Sequence, residues 1–177
     1  VTAHAALLEE ARLAQTNVSG AAVSELARAR PNLTSLDVAF NSRVSDAAIK
    51  TVAGACPRLR RLDVSAIRAV TDESLRLVAS SCGSLEALRA EGVRGAGDET
   101  LEALARNCPS LRELAFGHVL NRRLTSLGVA ALAGAADLEL ERLSLRGCEG
   151  VEEAAVVACV RAHAPSLVEL ELSAMAC

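Results

Sequence analysis

An α/β solenoid, with a curved parallel sheet on its concave side and helices on its convex side, is the fold class that the 177 residues predict. Three observations carry that expectation. The junctions Cys56-Pro57-Arg58-Leu59, Cys82-Gly83-Ser84-Leu85 and Cys108-Pro109-Ser110-Leu111 recur every 26 residues. Each opens a Leu-x-x-Leu-x-Leu-like run, and each run is followed by a helix-like segment. A fixed period of this size marks a stack of units that cannot bury an apolar face alone and must lean on their neighbours.

The strands come first in each unit. Aligned on the first leucine, the copies begin at Leu8, Leu33, Leu59, Leu85, Leu111, Leu140 and Leu167, with spacings of 25, 26, 26, 26, 29 and 27 residues. Apolar residues return three and five places later, as Leu36 and Val38, Leu62 and Val64, Leu88 and Ala90, or Leu143 and Leu145. Alternation of period two over a short run describes a strand with one buried face. About seven repeats result, forming a single domain over residues 1–177 that is expected to belong to a longer array, because both ends of the sheet would otherwise lack a capping element.

Helices come second. Val44-Ser45-Asp46-Ala47-Ala48-Ile49 and Val70-Thr71-Asp72-Glu73-Ser74-Leu75 read as helix starts. Ser45, Thr71 and Thr125 are placed to cap free backbone N–H groups through their side-chain oxygens, and Asp72 and Glu73 suit the positive end of the helix dipole. Cys-Pro, or Ala164-Pro165, ends the helix, since proline drives the preceding residue out of helical geometry. The copy from Leu111 departs from the pattern: residues 120–123 lengthen its strand-to-helix turn and residues 135–139 alter its helix exit, so a local projection is expected there.

Composition narrows the function classes. A formal charge of −3 and a pI near 5.7 lack the basic face that nucleic acid requires, so no nucleic-acid partner is expected. The longest apolar stretch, Leu127 to Ala136, is about half of the roughly 20 residues needed to span a bilayer, so no membrane segment is expected. A cytoplasmic location, or another reducing space such as the nucleus, is favoured. Only Phe40 and Phe116 are aromatic, so Leu, Val and Ala must fill the core. Every basic residue but Lys50 is arginine, which fits either a GC-rich coding sequence or selection against ubiquitin acceptors.

The Cys-Pro-x-Leu-x-x-Leu junction followed by Ser/Thr-Asp and an apolar pair resembles the cysteine-containing leucine-rich repeats of F-box and related proteins, over essentially the whole chain. That subfamily carries Asn or Cys at the ninth place after the first leucine. Here Asn41 and Cys148 comply, while Thr16, Ile67, Val93, Val119 and Met175 stand at the other turns. The resemblance implies a non-enzymatic protein-binding solenoid, and in F-box members a substrate-recognition region of an SCF-type ubiquitin ligase working with a ligase adaptor. A structural scaffold subunit of a large cytoskeletal or organellar assembly is the alternative.

Candidate chemistry is weighed against plain packing. Cys56, Cys82 and Cys108, one repeat apart, should form a ladder of buried thiols with parallel orientation, unlike the converging close pairs of a zinc site. Gly92, Gly95 and Gly97 have the wrong order for a dinucleotide fingerprint and read as turn glycines. His4, His118 and His163 occupy different places in the repeat and suggest no shared base. No catalytic residue, cofactor or metal is expected. The outward strand positions are the better place for recognition: Glu10 and Arg12, Ser35 and Asp37, Arg61 and Asp63, Arg89 and Glu91, Glu113, Arg142 and Arg146, and Glu169 and Glu171. They would form a mixed-charge groove for another protein, setting register and encounter rate more than affinity.

Overall fold

The computed structural model describes residues 8–117 and 123–173. In chain order these form β1 (Glu10–Arg12), α1 (Gly20–Ala29), β2 (Ser35–Asp37), α2 (Asp46–Ala55), β3 (Arg61–Asp63), α3 (Asp72–Ser81), β4 (Ala87–Arg89), α4 (Asp98–Asn107), β5 (Glu113–Ala115), α5 (Ser126–Ala133), β6 (Arg142–Ser144), α6 (Glu153–His163) and β7 (Glu169–Glu171). All seven strands are parallel in one sheet whose order is the chain order, each joined to the next through a helix. This is a leucine-rich-repeat solenoid of about seven units, as the period predicts.

Register follows from the leucines. Ala11, Leu36, Leu62, Leu88, Leu114, Leu143 and Leu170 are paired residue to residue across the sheet. Their inner five members are at most 2% exposed, and so are Leu33, Leu59, Leu85, Leu111 and Leu140 in the parallel column. Full burial of a leucine is worth about 1.5–3 kcal/mol, so the columns supply the main driving force for stacking. At the ends the burial thins: Leu8 is 40% and Leu170 is 37% exposed.

The helix starts correct one expectation. Ser45, Thr71 and Thr125 all stand at N-cap positions, but only the Thr125 side chain accepts a backbone N–H, that of Leu127. At the starts of α3, α4 and α5 an aspartate of the preceding repeat is the acceptor instead. Asp46 Oδ1 accepts the N–H and the hydroxyl of Thr71, both at 2.9 Å. Asp72 Oδ1 accepts the Gly97 and Thr100 N–H groups and the Thr100 hydroxyl. Asp98 receives the Thr125 N–H at 2.7 Å and its hydroxyl at 2.6 Å. A charged oxygen accepts more strongly than a hydroxyl, and the aspartates recur at the repeat spacing, so the starts of α3, α4 and α5 are each tied to the helix start before them. In α1 the capping is local, Ser19 accepting from Ala22.

At the opposite helix ends the cysteine ladder appears as expected. Cys56, Cys82 and Cys108 are fully buried helix C-caps. The Cys82 thiol donates to the Cys56 carbonyl at 3.5 Å, and the Cys108 thiol to the Ala79 carbonyl at 3.4 Å. Cysteine suits this place because it packs as a small hydrophobe while offering a weak donor to carbonyls that a helix end leaves open. Burial, with a smaller contribution from the neighbouring thiol, pushes Cys82 up to about 11 and Cys108 up to about 12, so both are protonated and poor nucleophiles at neutral pH. His163 has the same duty near α5. It is buried, with Nδ1 2.9 Å from the Leu138 carbonyl and Nε2 3.1 Å from that of Leu132. It fills the altered exit of the shortened α5. His4, His118, Val119, Met175, Cys177 and residues 120–122 of the lengthened turn lie outside the described residues.

A further column runs through the turns after the strands. Gln15, Phe40, Ala66, Gly92 and Gly147 stand at the same place in five of the turns, and all have positive φ, from 57° to 75°. Gly92 is therefore a turn glycine, as predicted; Gly95 is another, because a Cβ there would sit 2.7 Å from the Val70 carbonyl oxygen. No helix among the described residues is long and apolar enough to cross a membrane.

Candidate functional site: the concave face

The strands of a parallel sheet turn alternate side chains to opposite sides. With the leucine columns facing the helices, positions on either side of them are released to the concave surface. Glu10 and Arg12, Ser35 and Asp37, Arg61 and Asp63, Glu113, Arg142, and Glu169 and Glu171 all stand there on their strands, as the spacing predicts. Arg89 does too, but its outward companion on β4 is Ala87. Glu91 and Arg146 stand two residues beyond β4 and β6. The outward partners of Glu113 and Arg142 are Ala115 and Ser144. Charge marks an outward position in a sequence and small residues carry no such mark, so Ala87, Ala115 and Ser144 are missed by that reading.

Those small side chains shape the surface. A hollow of about 190 Å³ lies over β4–β7, floored by Leu114, Ala115, Leu143 and Ser144 and walled by Arg89, Glu91, Glu113, Arg142, Glu169 and Glu171. A second, of about 200 Å³, spans β1–β5 and includes Arg12, Asp37, Arg61 and Asp63. Arg146 is exposed on the turn after β6 and lines neither. Both hollows are smaller than the roughly 300–1,000 Å³ of small-molecule pockets and are walled by charge, not by apolar groups. Their shape suits side chains projecting from a larger partner.

The centre of the face is a fixed charge array. Glu113, with a side chain only 14% exposed, is held between two arginines from the flanking strands. Arg89 Nε donates to Glu113 Oε1, and Arg142 Nε donates to Glu113 Oε2 at 3.1 Å. Burial raises the Glu113 pKa, but the hydrogen bonds and charges of Arg89 and Arg142 outweigh it and hold the carboxyl below its ordinary value. The same contact, against some burial, raises that of Arg89. At β6, the Ser144 hydroxyl donates to Glu171 at 3.2 Å. Arg12 faces Glu10 at 3.5 Å in an exposed pair. Asp37 and Asp63 each accept the backbone N–H two residues on, from Ala39 at 3.0 Å and Ser65 at 2.9 Å, which fixes their carboxylates.

Glu113 gives the fold a pH dependence of definite sign. Its folded pKa lies below the unfolded value, so its contribution to stability is present above the ordinary carboxylate pKa of about 4.3 and is lost as pH falls through the depressed value. Urea denaturation of the parent and of Glu113→Gln should differ at pH 7 and converge in strong acid. A difference that persisted unchanged in acid would mean that the Arg89–Glu113–Arg142 array does not stabilise the fold.

Among the described residues no group of His, Cys, Asp and Glu is arranged to hold a metal ion. No protein-family model matches the sequence, and no curated protein does. The fold is similar to solved structures. Rad7, in its complex with Elc1 in yeast, superposes with a TM-score of 0.73 and 20% identity over 88% of this chain. The tropomodulin C-terminal domain of Caenorhabditis elegans superposes with a TM-score of 0.54 and 16% identity, covering 90% of this chain and 84% of that one. TLR13, in its complex with ssRNA13, gives a TM-score of 0.49 and 17% identity over 88% of this chain. The chain spans about two fifths of the Rad7 chain, 39%, and 23% of that of TLR13.

Proposed function

We propose that this solenoid is a non-enzymatic protein-interaction module whose concave face binds another protein, and more specifically that it is the substrate-recognition region of an F-box-like subunit of an SCF-type ubiquitin ligase. The observation that carries the first part is the Arg89–Glu113–Arg142 array, positioned by three neighbouring strands beside a hollow whose floor includes Ala115 and Ser144. Such fixed charges select a complementary partner and orient it before contact. An acidic chain with a mixed-charge groove favours a protein over nucleic acid as that partner.

The ligase part is supported by the Cys-Pro repeat pattern and by the treatment of the single lysine. Lys50 is held by Asp46 at 3.0 Å and Glu73 at 2.8 Å. Hydrogen bonds to Glu73 and then Asp46 raise its pKa, and the same two carboxylates engage its amine. The similarity to Rad7, which is described in a complex with a second protein, fits the same reading. The compartment that fits is the cytoplasm or nucleus.

The test is affinity purification of the parent and of the double variant Arg89→Glu/Arg142→Glu, with thermal melts of both. A partner retained by the parent and lost from a variant that still melts cooperatively supports the module; equal retention removes the Arg89–Glu113–Arg142 array from the binding site. Arg61→Glu should likewise alter binding while barely changing stability. An adaptor of the ligase in the purified complex supports the finer reading, and its consistent absence leaves the module alone. The alternative is a structural scaffold subunit of a large cytoskeletal or organellar assembly. Stoichiometric, salt-resistant retention in a large complex would favour it over exchange with a soluble pool.

A further inference from the structure

Phe40 is an anomaly on two counts. It is one of two aromatic residues in the chain, and while Phe116 is fully buried, Phe40 is 59% exposed. Its backbone is left-handed, with φ 59°, at a column position that two later repeats fill with glycine and two others with the smaller or more flexible Ala66 and Gln15. A bulky residue is disfavoured in that region of backbone space, and an exposed ring recovers little by burial. A strained, exposed aromatic on an otherwise regular repeat is a feature retained against stability, which is the pattern of binding sites.

The strand leading to it carries a second such feature. Asp37 and Asp63 are direct neighbours across β2 and β3. Like charges so placed repel. Both carboxylates are pinned by backbone N–H groups, and neither forms an ion pair among the described residues. The arginines in register on either side, Arg12 and Arg89, form their ion pairs with Glu10 and Glu113, Asp63 adding only its field at Arg89. The two aspartates thus offer charge to a cation arriving from outside, Asp37 three residues before the exposed ring.

We propose that Phe40 is the apolar anchor of a subsite for a protein segment that carries an aliphatic or aromatic side chain next to a lysine or arginine, the ring contacting the former and Asp37 with Asp63 receiving the latter. This rests on the reading of the concave face as protein-binding and assigns its β1–β3 half a chemical preference. The test selects linear dodecapeptides from a displayed random library on the 177-residue chain and measures their affinity by fluorescence anisotropy. Selected peptides should pair an apolar residue with an adjacent basic one. They should lose about tenfold or more in affinity on Phe40→Gly, the usual cost of removing an anchor. Asp37→Asn/Asp63→Asn keeps an oxygen to accept the turn N–H but removes the charge, and should weaken binding and flatten its salt dependence. The melting temperature of Phe40→Gly should equal the parent's or exceed it by about 1–3 °C, since the turn suits glycine.

Peptides that bind Phe40→Gly as tightly as the parent overturn the proposal, as does a variant melting several degrees lower, because the ring would then be a packing residue. Peptides indifferent to Phe40 but lost on Arg89→Glu/Arg142→Glu would sink this subsite and leave the concave-face reading intact. Failure of every peptide to depend on either set would count against both.

Discussion

Leu88→Ala is expected to destabilise the protein by about 2–5 kcal/mol, through lost transfer energy and the cavity left behind. Leu88 is fully buried at the centre of β4, paired with Leu62 on one side and Leu114 on the other. Those neighbours are held by their own strands and cannot move in to fill the gap, so the cost belongs in the upper part of the range. At roughly 2–4 °C per kcal/mol for a chain of this size, the melting midpoint should fall by about 7–20 °C. The equivalent change at the end of the same column, Leu170→Ala, should cost only about 1 kcal/mol or less, because that side chain is 37% exposed to begin with. Thermal melts of the two variants side by side are decisive: equal losses would mean that the columns do not form the interior.

The position of Leu88 in a one-dimensional array sharpens the expectation. Contacts run between neighbouring repeats, so stability is a sum of unit and interface contributions. A weakened middle unit separates the repeats before it from those after it. The Leu88→Ala transition should therefore be broader than the parent's as well as lower, whereas the Leu170→Ala transition should keep its steepness.

Legibility in the sequence tracks the strength of the periodic signal. The leucine columns can be read because one residue type returns at one spacing, and it is stacking that requires an apolar side chain at the same place in every unit. The thiol ladder is legible for the same reason. Local capping rules misassign Ser45 and Thr71 because they ask what a side chain does for its own helix, and at Thr71 the aspartate of the preceding repeat supplies the acceptor from 25 residues away. The clue is present in Asp46, Asp72 and Asp98, spaced as the leucines are. On the concave face charged residues announce themselves, while Ala87, Ala115 and Ser144 shape the hollows by being small. Phe40 is visible only as one of two aromatics, since left-handed backbone at its turn is a property of coordinates.

Asn41→Ala is expected to cost about 3 kcal/mol, the second large effect, and the reason lies in the length of the first repeat. In later turns the N–H groups of Val44, Val70 and Val151 close onto the carbonyls of Asn41, Ile67 and Cys148, three residues back. The first unit is one residue shorter, 25 against 26, and its Val18 N–H bonds instead to Asn41 Oδ1 at 3.1 Å. The Asn41 amide, itself fully buried, donates to the carbonyls of Leu13, Val38 and Ala39 at 2.7, 3.0 and 3.2 Å. Truncation strands the Val18 N–H and the Val38 carbonyl, while the Leu13 and Ala39 carbonyls keep the Thr16 hydroxyl and the Gln15 N–H, and each buried polar group left without a partner costs about 1–3 kcal/mol. Asn41→Cys should be milder, since a thiol is a weak donor that can keep one of the carbonyls, as Cys148 does for Phe116 at 3.5 Å. Hydrogen exchange separates this from a general loss of packing: protection should fall first in β1 and α1, with β4 and α4 nearly unchanged, and uniform loss along the array would refute a local clip.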